Sequence, residues 1–176
     1  MKPLRLALFG LGRAGRFHLQ SIRLATGGKL LHVVDVDADV AQDAAAQYDC
    51  QWASDRQAAL ADPQVDAVIV ATPTQTHHDY IIDSLEAGKA VFTEKPLGTG
   101  IGEIDACYQK AEDRGLPLFL GFMRRFDPSF ADLAQRVHGG EIGTLQLLRT
   151  TSRDCPLPTI YYIKTSHRIF HDCIVH

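Results

Sequence analysis

Apolar positions along the chain keep two alternating rhythms, one of strands and one of helices. LRLALF, Leu4 to Phe9, is a short apolar run that reads as a strand, and from Arg13 to about Ala25 apolar residues recur at helical spacing. LLHVVD, Leu30 to Asp35, predicts a second strand, Val40 to Tyr48 a second helix, and Arg56 to Ala61 a short third helix. DAVIVA, Asp66 to Ala71, is apolar after its first residue, as a strand buried on both faces requires. TPTQTHHDYIIDSLEAGK, Thr72 to Lys89, holds a turn, a helix and a glycine stop. AVFTEKPL then gives a strand ending at proline, Ile104 to Arg114 a helix, and LPLFLGF another strand. A helix is expected from Asp127 to about His138, and TLQLLRTTSR, Thr144 to Arg153, reads as a strand entering a new region.

Such alternation predicts right-handed β-α-β units, that is, an α/β fold with a doubly wound parallel sheet covered on both faces. With 176 residues, 45% of them hydrophobic, the chain can bury one good-sized core and a fragment of a second. Its formal charge is −3, and its 18 Lys and Arg are scattered, so neither nucleic acid nor an anionic membrane is expected as a partner. The apolar run in MKPLRLALFG is too short for a signal sequence, and no stretch has the length to span a bilayer. Cys50, Cys107, Cys155 and Cys173 form no CxxC pair, which points away from zinc and disulfides and towards a reducing, cytoplasmic setting.

Between the first strand and the first helix stands GLGRAG, with Gly10, Gly12 and Gly15 in G-x-G-x-x-G spacing. The first glycine permits the turn, the second lets a pyrophosphate approach the backbone, and the third brings the helix close to the strand. Phosphates then lie on the helix N-terminus, so Arg13 and Ala14 join the glycines as cofactor-binding residues. Asp35 ends the second strand about 20 residues beyond Gly15, where its carboxylate can accept ribose hydroxyls and repel a 2′-phosphate. NAD is therefore expected over NADP. Asp35 could instead serve as a turn or cap residue in DVDAD, and Asp37 could share either role.

FGLGRAG, VVDVD, ATPTQTHHDYIIDSLEAGKAVFTEKPL, GFMRRFDPSF and the terminal DCIVH, in that order, resemble the glucose-fructose, inositol and related sugar oxidoreductases. Within that family the chain is most similar to the inositol 2-dehydrogenases. The resemblance implies a Rossmann domain, residues 1–122, followed by the beginning of an open-sheet substrate domain, residues 123–176. It implies hydride transfer between a ring hydroxyl carbon and NAD, with a polyol or sugar as the small-molecule partner. Its lysine in EKP matches Lys95, and its D-x-x-x-H pair matches Asp172 and His176. Two departures stand out: SHRIF, Ser166 to Phe170, where the family usually has small residues, and a chain that stops at His176.

Oxidising a secondary alcohol requires a base, a donor for the developing oxyanion, and a nicotinamide held against the carbon. On the resemblance, His176 is the candidate base and Asp172 its orienter four residues earlier, where the spacing alone equally describes an ordinary i, i+4 surface pair; Lys95, at a strand's carboxyl end, is the candidate donor or else a solvated lysine before a turn. Thr72, Pro73 and His77 follow DAVIVA, placing their loop beneath the nicotinamide ribose, although His77 and His78 could simply cap a helix. Glu94 is included with the cofactor-binding residues. Arg124 is expected at cofactor or substrate, Met123 at the substrate wall, and Arg124 or Arg125 could pair with Glu94 or Asp127. His167 and His171 lack a third well-spaced ligand, and hydride transfer to NAD needs no metal, so no metal is expected.

The ending at His176 leads to the expectation of a fragment of a longer dehydrogenase, one that forms a homo-oligomer through the missing sheet. A frayed last turn and a strand at Thr144 to Arg153 with no sheet to join also predict poor solubility or the need of a partner. The competing readings are the same enzyme class acting on another sugar, and a non-catalytic NAD-binding module.

Overall fold

The computed structural model describes residues 2–151 together with Arg153 and Ile160. The chain divides into two units, the first ending at Gly121 and the second beginning at Phe122. The first unit runs β1 (Leu4–Phe9), α1 (Arg13–Leu24), β2 (Gly28–Val34), α2 (Ala38–Tyr48), β3 (Gln51–Ala53), α3 (Arg56–Leu60), β4 (Ala67–Val70), α4 (His77–Glu86), β5 (Ala90–Glu94), α5 (Ile101–Arg114) and β6 (Leu118–Gly121). All pairings are parallel and the strand order is β3-β2-β1-β4-β5-β6. The chain turns back across the sheet between β1 and β4, opening a crevice outside their carboxyl ends, the place where such sheets bind ligands.

Strand alternation divides the core between the two faces of the sheet. Leu8, Leu30 and Val33 pack with Leu19 of α1 and with Ala41 and Ala45 of α2. Ala7, Phe9, Val68, Val70 and Val91 pack with Ile81 and Leu85 of α4 and with Cys107 and Ala111 of α5. Burial raises the Cys107 thiol to about 11, so it behaves as a small apolar core group.

Local chemistry sets the element ends. Asp37 caps α2 by accepting from the Asp39 and Val40 amides, and Asp55 caps α3 through Gln57. At the far ends of α4 and α5 the chain turns through Gly88 and Gly115, both at positive φ. At the amino ends of the strands, opposite the crevice, Arg5 grips the Asp66 carboxylate through Nε at 2.9 Å and through a second guanidinium nitrogen at 2.7 Å, tying the start of β1 to the entry of β4. Lys89, buried before β5, donates to the Asp62 and Val65 carbonyls.

Two expectations differ from this structure. Trp52 lies in an edge strand, β3, that the sequence pattern did not predict, because three residues are too few to display a period. Conversely, Thr144 to Thr151 and Arg153 form no strand and are exposed, since no partner strand for them stands among the described residues. The second unit holds α6 (Pro128–His138), with Pro128 in its first turn and Asp127 accepting from the Ser129 and Phe130 amides. No helix among the described residues is long and apolar enough to cross a membrane.

Candidate active site

The three loop glycines have three different surroundings. Gly10 has φ +86°, and a Cβ there would stand 2.6 Å from the Ala71 carbonyl oxygen and 2.8 Å from the Thr72 nitrogen, so only glycine lets the loop approach the end of β4. A Cβ on Gly15 would enter the Gly10 carbonyl, whereas a Cβ on exposed Gly12 would meet nothing within 4 Å. Folding requires the outer two; the middle one opens onto empty space. Gly12 is also the N-cap of α1, with no side chain capping the helix and no acidic residue in its first turn. The first-turn amides Arg13, Ala14 and Gly15 therefore face that space as anion donors, and the site fits a pyrophosphate.

Asp35 follows β2 beside this loop. Its Oδ2 accepts from the Leu11 amide at 2.7 Å and its Oδ1 from the Asp37 amide at 3.0 Å. It thus fills the turn role and also fixes the carboxylate against the loop, with further lone pairs left for hydroxyl donors. Asp37 is the helix cap, so of the two aspartates it is Asp35 that faces the glycines.

On the other side of the crevice, Thr72 and Pro73 follow β4, and the Thr76 hydroxyl donates to the Pro73 carbonyl and accepts from the Thr72 hydroxyl. His77 opens α4 with 1% exposure, its Nδ1 2.7 Å from the Pro96 carbonyl oxygen and its Nε2 2.8 Å from that of Thr72. Neither ring nitrogen is left for a cofactor, and the ring connects the β4 loop to the β5 loop instead of capping a helix. Lys95 is half-buried at the end of β5 and joined to Pro96 by a cis peptide bond. Glu94, just before it, holds His18 of α1 through Oε1 at 2.8 Å. Burial raises the Glu94 carboxyl, but the His18 bond and charge, helped by the Lys95 backbone, outweigh it and bring it below the usual range.

Asp35, Gly10, Thr72, His77, Pro96, Glu94 and His18 thus form one connected rim at the carboxyl ends of β2, β1, β4 and β5. His18 was not anticipated. Its signal was a polar residue in the half-buried helical stripe Ala14, His18, Ile22, and nothing in that stripe says which strand it meets.

Met123 and Arg124 belong to the second unit. Met123 is exposed, and the Arg124 guanidinium lies 4.9 Å from the Phe130 ring centre. Arg125 lies over Phe122, while the expected acidic partner Asp127 caps α6. Asp172 and His176 lie outside the described residues, as do His167 and His171. No group of three or more His, Cys, Asp or Glu placed to hold a metal occurs among the described residues.

A glycine loop on an uncapped helix, an aspartate at the end of the next strand and a crevice at the sheet's crossover together define a dinucleotide-binding α/β domain. Residues 4–122 match the family described as the oxidoreductase family with an NAD-binding Rossmann fold (GFO_IDH_MocA). The chain belongs to that family.

Among its relatives, scyllo-inositol 2-dehydrogenase (NAD(+)) of Bacillus subtilis is 40% identical over 174 residues, covering 98% of this chain and 51% of that protein. Inositol 2-dehydrogenase of Rhizobium meliloti is 37% identical, covering 98% and 52%. The crystal structure of a myo-inositol dehydrogenase from Corynebacterium glutamicum superposes with a TM-score of 0.89 at 36% identity, covering 99% of this chain and 52% of that one. A scyllo-inositol dehydrogenase from Lactobacillus casei, solved with NAD(H) and scyllo-inositol, superposes at 0.77 with 32% identity, covering 81% and 43%. The chain spans about half the length of the curated relatives it matches.

Proposed function

We propose that this chain provides the NAD-binding and hydride-transfer side of a polyol dehydrogenase that oxidises a secondary hydroxyl of an inositol-like ring. The observation that carries the reading is Gly12: its Cβ position is empty while the Cβ positions of its two partner glycines are blocked by backbone. A loop that only turned would need Gly10 and Gly15 but not a third glycine opening onto the end of a helix.

The α1 amides hold the pyrophosphate and Asp35 accepts from the adenosine ribose, its negative charge disfavouring a 2′-phosphate. Bound NAD supplies the hydride acceptor. Lys95, at the end of β5, donates to the substrate oxygen and favours its deprotonation. The resemblance assigns proton removal to His176 and the orientation of its ring to Asp172. Inositol as the substrate class is supported by the four relatives above, all of which are named for it and one of which was solved holding scyllo-inositol.

The test is absorbance of NADH on mixing the chain with NAD and myo- or scyllo-inositol, with Lys95→Met as control. The reading expects NADH from at least one inositol and a fall of about 100-fold or more in Lys95→Met, the usual order for removal of a transition-state donor. Equal rates in the two proteins would contradict the role given to Lys95. No NADH from a chain that binds NAD would remove the catalytic half of the proposal.

A further inference from the structure

Among the described residues, His77 faces two acceptors and no donor. Both of its ring partners, Thr72 and Pro96, present backbone carbonyl oxygens, at 2.8 and 2.7 Å. A neutral imidazole carries one N–H and one lone pair, so it can serve only one of them and must turn its lone pair on the other. Rotating the ring by half a turn offers no escape, because carbon atoms would then stand where nitrogens are, well inside the roughly 3.3 Å at which C–H groups meet oxygen. A bridging water has no room at these separations. Both distances fall in the range of charge-assisted N–H···O bonds. Only the imidazolium, a donor on both nitrogens, satisfies the geometry.

We propose that His77 is a positioning residue held as the imidazolium, whose two N–H groups clamp the Pro96 carbonyl to the Thr72 carbonyl and so fix the peptide that carries Lys95. Its importance for hydride transfer rests on the function proposed above; its protonation state does not. The charged groups on the elements around it are already engaged or lie on the strand end it braces. Asp79 on α4 is bonded by His78, Glu103 on α5 accepts from Thr99, and Glu94 of β5 holds His18. The N-terminus of α4 itself disfavours a cation. The two carbonyl oxygens are therefore what holds the charge, and the ring stays with both.

The experiment is a two-bond 1H–15N correlation of the imidazole nitrogens in the 15N-labelled 176-residue chain at neutral pH. The His77 signal is assigned by its loss in His77→Gln and, if that variant does not fold, by through-bond connection to the His77 backbone in the unaltered chain. The proposal expects two protonated ring nitrogens. One protonated and one bare nitrogen in the folded protein would overturn it, whether or not the chain binds NAD. For the positioning part, folded His77→Phe, or His77→Leu if that variant does not fold, should shift the Lys95 and Leu97 amide signals and raise the Kd for NAD by about 10-fold or more. Unmoved signals would overturn that part. If the unaltered chain binds no NAD, the function proposed above fails, while the amide signals still decide the clamp.

Discussion

Gly12 and Gly15 are three residues apart, and the structure gives their replacement by alanine different consequences. Gly15→Ala drives a Cβ into the Gly10 carbonyl, so α1 must move off β1, and overpacking of this kind costs about 1–3 kcal/mol. Gly12→Ala meets open space at φ −66°, so it should cost only a few tenths of a kcal/mol, the loss of glycine's preference over alanine at an N-cap offset in part by a less flexible unfolded chain. Its effect should fall on nucleotide binding, with affinity for NAD down by about 10-fold, or ~1.4 kcal/mol. Thermal melts with parallel calorimetry separate the two. A Gly12→Ala chain that binds NAD as before would mean that the open space holds no pyrophosphate. The position of His77 after DAVIVA is visible in the sequence, but that both ring nitrogens meet carbonyls depends on Pro96, nineteen residues on.

Elements are placed by the contacts at their ends as much as by their cores. The bond from the Arg5 side chain, reinforced by the Arg5 amide, holds the Asp66 carboxyl well below the usual carboxylate range. Because the unfolded chain takes up this proton more readily than the folded one, the contact adds stability above about pH 4, and that contribution is lost as pH falls further. Asp66→Asn should therefore lower the Tm at pH 7 and flatten its fall between about pH 4 and pH 2. A variant with the same acid profile as the parent would show that the contact does not couple folding to protons. Sequence rhythm marked β1, β2, β4, β5 and β6 because each is an apolar run bounded by turn residues. It passed over β3, which owes its place to pairing with His32, Val33 and Val34 and not to any pattern of its own. It also marked a strand at Thr144 to Arg153, where apolar residues are present and a partner strand, among the described residues, is not.

Over the whole molecule, the part whose function was legible is the part whose signals are local. Glycine spacing, the aspartate that follows and the strand-helix alternation lie close together in sequence, and the first unit bears out the fold they implied. Contacts across the crevice, from His18 to Glu94 and from His77 to Pro96, join residues far apart in the chain, and no spacing announces them. The chain's match to inositol dehydrogenases extends beyond residue 122 into a region where most of the expected substrate-handling residues lie.

The most direct measurement is isothermal titration calorimetry of NAD and NADP against the 176-residue chain, with circular dichroism of the same sample to show that it is folded. NAD is expected to bind at one site and NADP at least about 10-fold more weakly, since its 2′-phosphate would meet the Asp35 carboxylate. A folded chain that bound neither nucleotide, or bound NADP as tightly as NAD, would contradict that expectation.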